Sequence, residues 1–335
     1  MNYILFGGTG FIGTHIINLI KSSCLKSEDK IYVLDIVMPG EEGVVPGVVE
    51  KIEGVDYIRC DVRKPIEIEN FISTRDDIIF NLAAVHRTPG HPDYEYFETN
   101  IRGAENVTAF ADKHGFYRIL FTSSIAPYGA VEELKSEGTL PTPNTAYGIS
   151  KLVAEKIHMI WQAQDASRCL TIVRPGVVFG KGEHGNFTRM YKGIKNGYFF
   201  YAGRTDTIKA SIYVKELAEF IKYRMIDNDF SGVDLFNCTY EPAFTVKDSC
   251  EAIKKATELK RKTLVIPSWI LMIASVVLYP FGGKKLGLHP ARVKKLEVST
   301  NISGKKLAGS GYEFKYNLDE ALSDWFGDCD KQGLY

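Results

Sequence analysis

Tyr147 and Lys151 stand four residues apart in the stretch NTAYGISKLVAEK, Asn144 to Lys156. On a helix that spacing puts both side chains on one face. A free phenol holds its proton at neutral pH, since its pKa is near 10. An ammonium group beside it favours the phenolate and draws the phenol toward the range of an acid–base catalyst. On an isolated surface helix the same pair would do nothing, so its meaning rests on what else the chain carries. A second stretch suited to chemistry opens the sequence. Gly7, Gly10 and Gly13 in FGGTGFIG lie between an apolar run, Met1 to Phe6, and an apparent helix from Thr14 to Ile20. Such glycines permit a tight turn and close backbone approach to a pyrophosphate at the positive end of a helix. Asp35 closes a further apolar run, Ile31 to Leu34. A carboxylate there accepts both hydroxyls of an adenosine ribose and repels a 2′-phosphate, which favours NAD over NADP.

The elements that must position these groups alternate along the chain. Strands are predicted near 2–6, 31–35, 56–60, 78–82, 118–123 and 169–173, and helices near 12–22, 66–73, 95–114 and 146–165. The helix carrying Tyr147 has Asn144 or Thr145 as its cap and Leu152, Val153 and Ile157 as its apolar stripe. The pattern is that of an α/β protein with a doubly wound parallel sheet, whose ligands bind beyond the carboxyl ends of the strands. The remaining candidates fall at those ends. Asp61 follows the third strand and can accept from an adenine amino group. Asn81 to His86 (NLAAVH) ends the fourth, with small residues that let a cofactor lie against the backbone. Thr122, Ser123 and Ser124 end the fifth, and Arg174 and Pro175 the sixth. The expected division is a Rossmann core over 1–175, with parts of 205–240 returning to it, and a smaller substrate lobe over 176–335.

A chain of 335 residues with 45% hydrophobic and 24% charged residues is ordinary globular material, long enough for a large domain and a smaller lobe. Met1 runs straight into a strand, so no cleavable leader is read, and a cytoplasmic location is expected. The six cysteines form no CxxC and no cluster with the seven histidines. Reduced thiols and no metal site are the expectation. Net charge is zero, yet Glu251 to Ser310 carries twelve Lys or Arg against three Glu, a local excess of +9. Either an anionic partner or solvated helix faces account for that excess. Nucleic-acid binding has only this basic stretch in its favour.

The ordered set FGGTGFIG, Asp35, Asp61-Val62, NLAAVH, FTSSIAPYG, YGISK and VRPGVVFG resembles the extended short-chain dehydrogenase/reductase superfamily, in its sugar-nucleotide epimerase/dehydratase branch. The resemblance covers essentially the whole chain. It implies NAD as cofactor and Ser124, Tyr147 and Lys151 as the catalytic triad. Tyr147 would be the acid–base, Lys151 would hold the nicotinamide ribose and tune the phenol, and Ser124 would bond the reacting oxygen. Gly7, Gly10, Phe11, Ile12, Gly13, Asp35, Asp61, Val62, Leu82, Ala83, Ala84, Asn100 and Pro175 would line the cofactor, Asn100 in a structural or relay role. His86, Ser123, Ser124, Arg174, Asn186, Lys209, Arg292 and Thr300 would face a sugar diphosphate. Lys209 stands where relatives usually carry Arg, and meets a phosphate as a point charge without the bidentate fork. Ser299 or Thr300 replaces a bulkier residue and would admit an N-acetyl group. Family dehydratases place Asp-Glu after the triad hydroxyl, whereas Ile125-Ala126 stands here. That leaves hydride chemistry at one carbinol.

Ile266 to Gly283 is nearly free of polar side chains and is followed by Lys284-Lys285. Its core, 269–281, is too short to span a bilayer of roughly 30 Å at a rise of about 1.5 Å per residue. A buried helix, a subunit contact or a shallow peripheral membrane contact all fit it. With AAVHR, AEFIKY and ARVKKL, the segment is most similar to bacterial enzymes that epimerise N-acetylglucosamine to N-acetylgalactosamine on undecaprenyl diphosphate. The expected activity is that 4-epimerisation, with UDP as the other carrier, in surface polysaccharide or O-antigen synthesis. A reductase of nucleotide-linked 4-keto-6-deoxy sugars, a hydroxysteroid-type dehydrogenase and a non-catalytic NAD sensor are the alternatives. A homodimer through the helices near 95–114 and 146–165 is also expected.

Overall fold

The computed structural model describes the chain except residues 44–46, 69, 70, 72, 87–90, 130, 131 and 279–296. Two compact units are present: Met1–Gly129, Glu137–Pro175 and Val214–Cys238 form the first, and Ala130–Ser136, Gly176–Tyr213 and Thr239–Tyr335 the second. In chain order the first unit contains β1 (Asn2–Phe6), α1 (Phe11–Ser23), β2 (Lys30–Asp35), β3 (Asp56–Arg59) and β4 (Ile78–Asn81). There follow α2 (Asp93–Tyr96), a π-helical turn (Phe97–Ile101), α3 (Arg102–His114), β5 (Arg118–Thr122), α4 (Ala146–Ala163) and β6 (Cys169–Pro175). The second unit then supplies β7 (Val177–Phe179), α5 (Asn186–Asn196), β8 (Phe200–Ala202) and β9 (Ser211–Tyr213). The chain returns to the first unit as α6 (Val214–Met225) and β10 (Gly232–Cys238). It ends in the second with α7 (Val246–Ala256), β11 (Leu264–Ile266), α8 (Ser268–Leu278), α9 (Lys305–Ala308) and α10 (Leu318–Asp328).

The strands of the first unit form one sheet in the order β3-β2-β1-β4-β5-β6-β10, every pair parallel. The order reverses between β1 and β4, where a crevice opens at the carboxyl ends. Helices cover both faces, so the inner strands are buried throughout and read as unbroken apolar runs, as in ILFT and IIF. Ile4, Phe6, Ile79, Phe110, Phe121, Ala154, Trp161 and Ile172 belong to one core beneath the site.

The helix predicted over 66–73 is not formed: its described residues are irregular. Ile66, Ile68 and Phe71 still reach the core, Phe71 stacking on Phe116 with ring centroids 5.6 Å apart. Apolar residues spaced two and three apart, entered through Pro65, serve an extended segment better than a helical stripe. In the second unit, β7 pairs with β9 and β8 with β11, both parallel. On α8, Leu271 packs against Phe200, Ala202 and Ile266. Trp269, Ile270 and Ile273 stay exposed, as do Leu264 and Val265 of β11. Among the described residues no helix is long and apolar enough to cross a membrane.

Candidate active site

The glycine loop is shaped by contact rather than by flexibility alone. Gly7 adopts φ +76, and a Cβ there would lie 2.7 Å from the backbone of Ala83. A Cβ on Gly13 would lie 2.5 Å from the Gly8 carbonyl. The loop therefore sits directly against the Leu82–Ala84 backbone at the topological switch point. Gly10 is the N-cap of α1 and has no side chain to bond its first amides. Those of Phe11 and Ile12 lack an intrahelical partner and are left for an anion at the positive helix end. Asp35 is held in place by Thr9, whose amide and hydroxyl donate to one carboxylate oxygen at 3.1 and 2.7 Å. Arg63 grips Asp61 through Nε and Nη2, and its hydrogen bonds hold that carboxyl below the usual range. The Val62 side chain belongs to the core. Asn100, on the π-helical turn, accepts from the Val85 amide at 2.9 Å. Its own amide group donates to the Val85 carbonyl and to Ser150 Oγ. With both donors spent, Asn100 braces the NLAAV segment through its backbone.

The candidate acid–base residue, Tyr147, is placed by α4. Thr145 caps the helix by accepting from the Gly148 amide at 3.1 Å, which starts the first turn at Ala146. Tyr147 shares a hydrogen bond with Ser124. Ser124 Oγ also accepts from the Ala126 amide at 3.1 Å. Lys151 is 2% exposed, donates to the Thr122 carbonyl at 2.8 Å, and lies 4.9 Å over the Phe121 ring. Burial pushes Tyr147 up to about 12, with Tyr96 adding to the rise and Ser124 opposing it. Burial also brings Lys151 down to about 7, against the pull of Glu155. Ser124 opposes the rise of the phenol, while the Lys151 ammonium donates to the Thr122 carbonyl.

Two candidates for substrate contact are engaged within the first unit. Ser123 is 3% exposed and donates to Glu155 at 2.5 Å. Arg174 is likewise buried, gripping Glu155 through Nε at 2.8 Å and Nη2 at 2.5 Å while Nη1 donates to the Tyr128 hydroxyl at 2.6 Å. An isolated buried guanidinium would be costly, so it is paired and spent inside the first unit. His86 is exposed beyond β4. In the second unit Asn186 opens α5, exposed, and accepts from Arg189 at 2.7 Å. Lys209 and Thr300 meet as an isolated parallel bridge, and Lys209 Nζ donates to the Val298 carbonyl at 2.5 Å. Arg292 lies outside the described residues. Thr9 and Glu155 contact candidate site residues, and motif and spacing alone do not single them out. Thr9 is signalled by a hydroxyl inside a glycine loop, and Glu155 by an acid on the stripe that already holds Tyr147 and Lys151.

A phenol, a serine and a lysine converge at the carboxyl edge of the sheet, beside a glycine cradle shaped for a dinucleotide. The profile of the family described as "NAD dependent epimerase/dehydratase family" matches residues 3–238. The chain belongs to that family. NAD is its cofactor, and the glycine cradle, the uncapped start of α1 and Asp35 fit that group. The chain is 29% identical over 329 residues to the Escherichia coli O157:H7 N-acetyl-alpha-D-glucosaminyl-diphospho-ditrans,octacis-undecaprenol 4-epimerase, covering 96% of this chain and 93% of that one. Among solved structures, UDP-glucose 4-epimerase from Thermotoga maritima superposes with a TM-score of 0.74 at 18% identity, covering 99% of both chains. The Thermus thermophilus UDP-glucose 4-epimerase complex with NAD gives 0.72 at 20% identity, over 99% of this chain and 100% of that one. At these identities the two structures establish the fold.

Proposed function

We propose that this enzyme is an NAD-dependent 4-epimerase interconverting N-acetylglucosamine and N-acetylgalactosamine on a diphosphate carrier, undecaprenyl diphosphate in preference to UDP. The observation that carries the reading is the similarity to the E. coli lipid-linked 4-epimerase along 96% of the chain. The reaction would serve surface polysaccharide or O-antigen synthesis. Tyr147 takes the proton from the C4 hydroxyl and returns it after the sugar has turned, while Ser124 bonds the same oxygen. Lys151 supplies positive charge beside the phenol and holds the nicotinamide ribose. NAD supplies the hydride acceptor and donor at C4, so no net redox occurs and the cofactor stays bound. Ile125 and Ala126, next to Ser124, carry no acid or base, which disfavours dehydration. Lys209, Asn186, Arg292 and Thr300 are the residues assigned to the sugar diphosphate.

The exposed apolar surface of β11 and α8 supports a shallow contact with a membrane, where a lipid-carried sugar would be met. Ile149, Val153 and Ile160 form an exposed stripe on α4, on the side away from Tyr147 and Lys151. That stripe supports a homodimer built on α3 and α4. The test supplies GlcNAc on undecaprenyl diphosphate and UDP-GlcNAc separately, without added NAD, and follows the C4 epimer. Conversion of the lipid-linked sugar is expected to dominate. Exclusive conversion of the UDP sugar would overturn the carrier. Conversion of neither, with stoichiometric NADH consumption on a 4-keto-6-deoxy sugar, would replace the epimerase by a reductase.

A further inference from the structure

Three residues of α4 spaced four apart meet three consecutive residues at the end of β5. Tyr147 bonds Ser124, Lys151 donates to the Thr122 carbonyl at 2.8 Å, and Glu155 accepts from Ser123 at 2.5 Å. The first two contacts belong to the reacting groups; the third is made by a carboxylate with no exposed surface. Arg174 grips both oxygens of Glu155, its Nε sharing Oε1 with Ser123, and donates to the Tyr128 hydroxyl, which in turn donates to Asn237 at 3.0 Å. Beyond the ends of the two strands the backbone stays paired, with the Ser123 amide on Val173 and the Ile125 amide on Pro175.

We propose that Glu155 is a positioning residue for proton transfer: by holding both Ser123 and Arg174, it sets the register of α4 against the end of β5, and so the meeting of Tyr147 with Ser124. The inference rests on the acid–base reading of Tyr147. A slip of the helix against the strand end would move all three contacts together, because they share one face at a constant spacing. Glu155 also acts through its charge. The titratable groups of this cluster are Tyr147, Lys151, Glu155 and His158 on α4, Arg174 on β6, Tyr128 beside it and Tyr96 on α2. Burial drives Lys151 toward neutrality, and Glu155 is the group that opposes it. Ser123 and Arg174 thereby gain a function other than substrate contact.

The test compares E155Q/R174Q, S123A and Y147F with the wild type, each loaded with NAD, on whichever of the two GlcNAc diphosphates the wild type converts. The double variant removes both charges of the Glu155–Arg174 pair at once, so neither is left buried without the other, and it is expected to fold and retain NAD. Its kcat should fall about a hundredfold with KM near that of the wild type, the cost of a small misplacement at a reacting centre. The alkaline limb of its pH profile and the pKa of Lys151, read by side-chain NMR, should both move to lower pH. S123A keeps the ion pair and removes one hydrogen bond, for an expected loss of about tenfold in kcat. Wild-type kcat in either variant overturns the inference. So does an equal loss at every pH with the Lys151 pKa unmoved, which would make the pair a structural brace only. Full activity of Y147F would instead overturn the acid–base reading itself, so the two failures are told apart.

Discussion

The carboxyl edge of the seven-stranded sheet and the residues of the second unit proposed to face the substrate are built in opposite ways. At the sheet edge one helix presents Tyr147, Lys151 and Glu155 at a fixed spacing to three consecutive residues, Thr122 to Ser124, at the end of β5. The helix is anchored from behind by Ala154 and Trp161 in the core, so the reacting groups inherit the rigidity of the sheet. In the second unit Lys209 and Thr300 are brought together by an isolated bridge between segments far apart in the chain. Ile208 is tied to the same segment through Ser299 Oγ at 3.2 Å and through the Thr300 amide at 2.9 Å. Under the proposed function, proton transfer, which needs sub-ångström placement, has a regular scaffold. Sugar recognition under the same proposal falls to loop pairings.

The comparison can be broken in three places. The largest effect is expected at the sheet edge itself. Tyr147→Phe should lower kcat by roughly three orders of magnitude while NAD remains bound, as removal of an acid–base group does. Retained turnover would show that the edge is scaffold and not catalyst.

The second test concerns the stability cost of that scaffold. His158 is buried under the site, stacked on Phe121 at 4.2 Å, with Nδ1 on the Ala154 carbonyl at 2.7 Å and Nε2 facing Asn81 Nδ2 at 3.1 Å. Those contacts fit a neutral ring that donates from Nδ1 and accepts at Nε2. Burial brings its pKa down from 6.5 to about 4, with the Lys151 charge adding to the fall and the Ala154 contact resisting it. The folded state therefore refuses a proton that the unfolded chain accepts. Stability from this group is fully present above pH 6.5 and is lost as pH falls toward about 4. The loss amounts to roughly 3 kcal/mol across that window. Urea midpoints of the wild type should fall over this range more steeply than those of His158→Gln. Parallel curves would mean that the ring is protonated in place.

The smallest effect belongs to the second unit. Lys209→Ala should raise KM about tenfold and change kcat little, because a charged hydrogen bond to a ground-state phosphate is lost. A fall in kcat of the size seen for Tyr147→Phe would erase the contrast between the two regions. Restoration by Lys209→Arg would sharpen it, since the guanidinium fork meets the same anion.

Much of the sheet edge is legible in the amino-acid sequence. Hydrophobic runs mark β1, β2, β4, β5 and β6, because inner strands of a parallel sheet are apolar on both faces, whereas β3, an outermost strand, carries the mixed stretch DYIR. The Tyr147–Lys151 spacing marks the reacting helix, since helical periodicity is a local property. The segment over 66–73 misleads because its apolar residues reach the core from an irregular chain, and burial looks the same in composition whichever backbone delivers it. Ser123 and Arg174 illustrate a related limit: position at a strand end says which edge a side chain lies near, not which way it turns.

Local spacing in the chain decided the Rossmann order, the glycine cradle at Gly7 to Gly13 and the shared face of Tyr147 and Lys151. The fold alone decided that Thr9 fixes Asp35, that Asn100 braces Val85, and that Glu155 closes on Ser123 and Arg174. It also decided the balance of charge, raising Tyr147 and lowering Lys151 by burial. Burial and partner choice are properties of what surrounds a side chain, and those surroundings come from residues that only the packed sheet and its helices bring within reach.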